Sequence, residues 1–194
     1  MTWTTWWIFV CTETVLCLTP GPAVLFILSS ALKAGARKSI FSNLGILSAN
    51  AVYFALSATG IGAVLLSSKL FLAVKWIGAA YLVIYGLRLI FGKDDAVTVV
   101  DQKTHHLFVN GFTLQISNPK AILFFSALLP QFLNPHAAIV PQVVILGVTS
   151  VVIEFFILLF YGVAGSSLTP RYARWTNRVA GGLLIGAGAG IATR

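Results

Sequence analysis

Acidic residues are almost absent from this chain: five in 194, against 13 Lys and Arg. With 9% charged residues, 58% apolar residues and a mean hydropathy of +0.91, it has too little charge to cover a soluble domain of this length. Long polar stretches are equally scarce. Mainly apolar runs of about 20 residues or more recur instead, the length that crosses roughly 30 Å of hydrocarbon. Cysteine is limited to Cys11 and Cys17 in one apolar segment. A disulfide between them requires helix distortion, so they read as packing residues. No His–Glu metal set, Ser–His pair, glycine-rich phosphate loop or nucleophile elbow occurs, and His105, His106 and His136 read as loop residues. An intramembrane enzyme therefore has no visible machinery. No Lys or Arg precedes residue 33, and the first apolar run outlasts a signal segment, so the N-terminus reads as a span.

The net charge of +8 would suggest nucleic acid in a soluble protein. Here the basic residues sit in short loops between apolar runs, where positive-inside topology accounts for them and no nucleic-acid partner is expected. The spacing predicts six spans, at about 6–32, 39–66, 70–91, 107–133, 139–165 and 174–192, with a polar linker at 92–106. The last is short and glycine-rich, and it spans if Arg174 and Arg178 snorkel. Loops 1–2, 3–4 and 5–6, with their span ends, hold Lys33, Arg37, Lys38, Arg88, Lys93, Lys103, Arg171, Arg174 and Arg178. The other side holds Lys69, Lys75 and Arg194, which puts both termini outside the cytoplasm.

This count gives an all-α membrane protein built as two inverted three-helix repeats, 1–91 and 107–194, joined by the cytoplasmic linker 92–106. A faint internal match supports the repeat. Gly21-Pro22-Ala23-Val24-Leu25-Phe26 aligns with Pro119-Lys120-Ala121-Ile122-Leu123-Phe124, in the middle of the first helix of each half. Interrupted helices at matching positions point to a transporter's central site. Pro20 and Pro22 should unwind the first helix near Thr19–Pro22. Thr19-Pro20 and Asn118-Pro119 each pair a capping residue with a proline at the first helical position, which suits a fresh helix start. A start at mid-bilayer directs N–H groups and a positive dipole end inward, toward a carboxylate. Lys120 adds a full charge beside the second. The competing reading of each motif is a simple proline kink.

Two acids stand in apolar spans: Glu13 in WWIFVCTETVLCL and Glu154 in VTSVVIEFFILLF. An acid at bilayer depth costs roughly 2.5–3.5 kcal/mol and persists where it faces a cavity, a partner or a proton path. Glu154 shares a helix face with Gly147, Ser150 and Tyr161, and the bland alternative is a structural pair with Lys120 or Arg88. Glu13 lies about two turns before the first break and shares a face with Cys17, as a site residue or in a wetted vestibule. Asn43, Asn50 and Ser57 recur every seven residues with Tyr53 nearby, and either tie helices together or touch solute. Gly182, Gly186 and Gly190 form a small-residue face for packing within a protomer or in a homodimer. Trp3, Trp6, Trp7, Trp76 and Trp175 read as interfacial anchors.

TPGP at 19–22, VKWIGAAYLVIYG at 74–86, NPKAILFFSALLPQF at 118–132 and ILGVTSVVIE at 145–154 together give a chain that resembles the LysE/RhtB family of bacterial amino-acid exporters. The resemblance covers nearly the full length. It implies a multi-pass inner-membrane protein that exports amino acids in exchange for protons, with the proton as coupling ion and no cofactor. Pro20, Gly21 and Pro22 match the first family motif, Asn118, Pro119 and Lys120 the second, and Glu154 the acidic position of the fifth helix, often Asp there. Two positions depart from the pattern: Ala23 stands where many members carry an acid, and Glu13 is not a standard family position. The expected binding residues are thus Thr19, Pro20, Gly21, Pro22, Asn50, Asn118, Pro119, Lys120 and Glu154, with Glu154 and Glu13 carrying protons. A passive channel or a membrane scaffold are the rival readings.

Overall fold

The computed structural model describes residues 1–19, 21–58, 103–134 and 136–166, with isolated positions between 76 and 91 and between 178 and 189. Among these the chain is helical: α1 (Trp3–Leu18), α2 (Pro22–Ala34), α3 (Ala36–Ala58), α4 (Thr104–Ile116), α5 (Pro119–Leu123) and α6 (Ile139–Ser166). A π turn at Phe124–Leu128 and a 3₁₀ turn at Leu129–Phe132 continue from α5. The expected third and sixth spans, the small-residue face of span 6, Trp175 and Pro20 lie outside the described residues, apart from isolated positions such as Trp76.

Each boundary has a local cause. Thr2 Oγ1 accepts from Thr5 N–H at 3.2 Å and starts α1. Thr19, ahead of a proline, takes an extended conformation (φ −70°, ψ 119°) and ends it. Pro22 then opens α2 at the first helical position behind an extended Gly21. The bend between α1 and α2 is 51°, and the pair together is apolar enough for one broken span. α2 stops at Gly35, whose φ of 83° a side chain would resist. α4 ends before Pro119, and Asn118 caps the restart by accepting from Lys120 N–H at 3.0 Å. α4 begins at Thr104, so His105 and His106 lie in its first turn rather than in a loop. Gln142 closes the turn into α6 by accepting from Asn134 N–H at 2.9 Å and donating to Ala138 O at 3.0 Å.

Side-chain pairings fix the directions of the helices. Trp6 with Thr149, Glu13 with Ser150 and Tyr161 with Leu18 set α1 parallel to α6. Asn43 with Phe155 and Asn50 with Glu154 set α3 antiparallel to α6, while Asn50 with Gln115 and Tyr53 with Ile116 set α4 parallel to α3. The α3–α4 packing is the most extensive among the described helices, and glycine makes it so. A Cβ at Gly45 would enter the backbone of Phe108, and one at Gly111 the backbone of Ser42. Small residues let two membrane helices touch main chain to main chain. We expect Gly45→Ala to destabilise the purified protein by about 1–3 kcal/mol, the usual range for overpacking. An unchanged thermal midpoint in detergent would contradict that crossing.

Two apolar clusters bracket a polar layer. One holds Phe9, Phe54, Phe124, Phe125, Leu129, Phe132 and Leu146. The other gathers Val24, Phe26, Ile27, Ile46, Leu114 and Leu158. The buried groups Glu13, Asn50, Gln115, Asn118, Ser150 and Glu154 surround a cavity whose walls belong to both clusters.

Candidate functional site

The cavity lies where both broken helices meet α3 and α6. α1 contributes Glu13, Cys17 and Thr19, the α2 start Gly21, Ala23 and Val24, and α3 Asn50. Gln115, Asn118, Lys120, Phe124 and Phe125 come from the second break, and Ser150, Glu154 and Leu158 from α6. Its volume is about 60 Å³, room for roughly four waters at the space each requires. Charged and amide groups within a membrane protein are tolerated where they line a hollow between helices.

Both acids face it. Glu154 is 7% exposed and accepts from Asn50 Nδ2, and Glu13 is 5% exposed and accepts from Ser150 Oγ. Ser150 and Glu154 are one turn apart on α6, so α6 brings the two carboxylates to one wall. Glu13 is thus a buried residue of the cavity lining. The face read from the sequence as Gly147, Ser150, Glu154 and Tyr161 is the face that α6 turns inward: Gly147 packs on Phe54 and Tyr161 donates to Leu18 O at 2.9 Å. Of the seven-residue set on α3, only Asn50 reaches the cavity. Asn43 ties α3 to α6 through Phe155 O at 3.1 Å, and Ser57 donates to Tyr53 O in its own helix at 2.8 Å.

Lys120 takes a different position from the one its motif suggests. Its ammonium donates to Leu16 O and, at 3.0 Å, to Thr19 O, the carbonyl end of α1. A helix C-terminus leaves its last carbonyls without intrahelical donors and carries a partial negative charge, so a cation is favoured there. Tyr161 satisfies Leu18 O at the same break. Tyr53 does the same at the other, donating to Ile116 O at 2.6 Å. Each break therefore has its last helical carbonyl held by a tyrosine from the opposite part of the chain. The two restarts differ: Asn118 caps α5, whereas no side chain caps α2 at Gly21. Pro119 occupies the first helical position as expected, but α2 starts at Pro22 behind Gly21, and Thr19, expected to cap that restart, instead ends α1 as its C-cap.

Gln115 was not read from the sequence. It is 4% exposed, accepts from Asn118 Nδ2 at 2.8 Å and donates to Asn50 Oδ1 at 2.8 Å. A lone amide one turn ahead of an Asn-Pro break is the signal that marks it. Cys17 lines the cavity, while Cys11 is exposed on the outer surface instead of packing. Trp3 and Trp7 are exposed as anchors should be, but Trp6 turns inward to donate to Thr149 Oγ1 at 3.1 Å. Among the described residues no group of three or more metal-ligating side chains occurs.

Residues 14–194 match the LysE type translocator family. The chain is 31% identical to an uncharacterized membrane protein of Vibrio cholerae over 97% of its own length and 96% of the relative's. It is also 31% identical to the homoserine/homoserine lactone efflux protein of Salmonella typhimurium, over 90% of this chain and 85% of that protein. An uncharacterized membrane protein of Pseudomonas aeruginosa is 30% identical over 98% of the chain and 95% of its own. No solved structure matches.

Proposed function

The chain belongs to the LysE type translocator family, and on that premise we propose that it exports a small amino acid of the homoserine class, or its lactone, across the bacterial inner membrane by proton antiport. The observation that carries this reading is the meeting of Glu13, Glu154 and both helix breaks around one buried cavity. The substrate ammonium pairs with ionised Glu154, with Glu13 adding negative charge on the same wall. The substrate carboxylate, or in the lactone its ester carbonyl oxygen, goes to the start of α2, which no side chain caps, rather than to α5, whose N–H is taken by Asn118. A proton taken up by Glu154 from outside discharges the attraction for the ammonium and releases the solute outward. A return with the proton to the inner side resets the site, so inward protons drive outward solute.

Alternating access needs two units that rock against each other. Supporting this are the parallel course of α1 with α6, the shared course of α3 and α4 in the opposite direction, and the reciprocal tyrosine clasps. These suit two inverted repeats, and the excess of Lys and Arg in loops 1–2, 3–4 and 5–6 supports termini outside. The test is transport in proteoliposomes loaded with homoserine, homoserine lactone, threonine or lysine under an imposed pH difference. We expect the homoserine pair to move uphill against the proton flow, at least tenfold faster than without the pH difference. Flux indifferent to the gradient would identify a passive channel instead.

A further inference from the structure

We propose that Gln115 couples protonation of Glu154 to the cap on α5, through a one-way chain of side-chain amides running from the second break to the acid. The proposal rests on the proton-coupled reading above. Lys120 N–H donates to Asn118 Oδ1 (3.0 Å), Asn118 Nδ2 to Gln115 Oε1 (2.8 Å), Gln115 Nε2 to Asn50 Oδ1 (2.8 Å), and Asn50 Nδ2 to Glu154 Oε2. The two ends fix the sense of every link. A backbone N–H can only donate and a carboxylate can only accept, so the three amides between them must all point the same way. The three amide side chains are 3–4% exposed, which leaves them little choice of other partners.

A proton on the oxygen that Asn50 now feeds turns that oxygen into a donor. Asn50 meets it by turning its amide over and presenting Oδ1. Its NH₂ then faces Gln115, which turns in its own right, and Asn118 follows. The chain finishes with Asn118 Nδ2 against Lys120 N–H, two donors in opposition, and the cap on α5 is released. The backbone beyond this cap is weakly wound: five residues of α-helix, then the π turn and the 3₁₀ turn. Such irregular winding recurs at functional sites because it can shift register at small cost. Phe124 and Phe125 in the π turn line the cavity, and Phe125 stacks on Tyr53 with ring centroids 4.8 Å apart. Tyr53 in turn holds Ile116 O. Loss of the cap is therefore delivered to the aromatic pair that bounds the site.

The other titratable groups lining the cavity are Glu13 and Cys17 on α1 and Lys120 on α5; α2, α3 and α4 supply none there among the described residues. Substituting Gln115 removes none of them. That makes it a positioning residue that can be tested separately from the charges.

The experiment is infrared difference spectroscopy between acidic and alkaline pH on the purified full chain in nanodiscs, with the Glu154 carboxyl band assigned by its loss in Glu154→Gln. In the wild-type protein that band should appear together with a change in the side-chain amide bands. Gln115→Met should keep the carboxyl band and cut the amide change by about two thirds, because Asn118 is then severed from Asn50. A cut of only about one third, the share of one amide among three, means the chain does not turn as a unit and overturns the proposal. So does a wild-type carboxyl band with no amide change, a result that needs no variant to fold. In proteoliposomes, the ratio of gradient-driven export to exchange at equal pH should fall at least tenfold in Gln115→Met, and an unchanged ratio overturns the coupling. If the wild-type amide change is present but gradient-driven export is absent, the chain stands and the antiport reading fails.

Discussion

Glu154→Gln abolishes gradient-driven export: uphill transport in proteoliposomes falls by at least about 100-fold, a loss of about 2.8 kcal/mol or more. The substitution keeps the size of the side chain and leaves an amide oxygen for Asn50 Nδ2, so the hydrogen bond that joins α3 to α6 persists. Folding and thermal stability should stay close to the wild type. On the proposed mechanism, the charge for the substrate ammonium disappears, and with it the site for the proton. Residual flux should lose its response to an imposed pH difference, whereas the wild type should export faster with the outside acidic. Glu154→Asp, which keeps a carboxylate one methylene shorter, should recover part of the coupled rate. Glu13→Gln should weaken transport less, because Glu13 contacts Ser150 and stands apart from the amides that link the acid to the break. Full gradient-driven export in Glu154→Gln would remove the acid from the mechanism.

Much of this site is legible in the sequence because its parts are chemically conspicuous against an apolar background. A carboxylate in VTSVVIEFFILLF or a proline pair in TPGP has few structural explanations in a bilayer, and Glu154, with Thr19 and Gly21 beside those prolines, lines the cavity. The pattern on α6 is readable for the same reason: Gly147, Ser150 and Tyr161 are small or polar one and two turns from Glu154, and all turn inward. Other features depend on which helix lies opposite. Asn43, Asn50 and Ser57 look equivalent at seven-residue spacing, yet α6 separates them into a helix tie, a site residue and a local bond. Gln115 sits in a mildly amphipathic helix where a single amide carries no periodic signal, and its partners are 65 residues away at Asn50 and three away at Asn118. The two cysteines share one apolar segment, but the rotation of α1 places one at the cavity and the other on the outside. The close crossing at Gly45 and Gly111 is likewise invisible until α4 is set against α3.

Lys120→Met should lower the thermal midpoint of the purified protein and bring export to background, and the two effects together define what this lysine does. From its motif, a cation beside the α5 restart reads as the receptor of the substrate carboxylate. In the structure its ammonium is drawn across to α1, where it holds Leu16 O and Thr19 O. Methionine has a similar reach and no donor, so both carbonyls lose a charge-assisted bond at a break where Tyr161 continues to hold only Leu18 O. Leu16 O keeps the Thr19 N–H and Thr19 is exposed, so the loss is that of the bonds to the ammonium. That is about 1.5–3 kcal/mol at most, and each kcal/mol shifts the midpoint of a protein this size by roughly 2–4 °C. The same change removes the cation that lines the cavity with Glu13 and Glu154, leaving the two acids without a basic side chain among the described residues of the lining. Transport should therefore fail even where the protein survives purification. The opposing possibility makes a different pattern: were the ammonium held in reserve for the substrate, Lys120→Met would leave the midpoint unchanged and raise only the substrate concentration needed for export. Thermal unfolding and substrate binding measured on one preparation separate the two. A lowered midpoint places Lys120 as the clasp that closes the first break from the second, so that the interrupted helices of the two halves are held by each other.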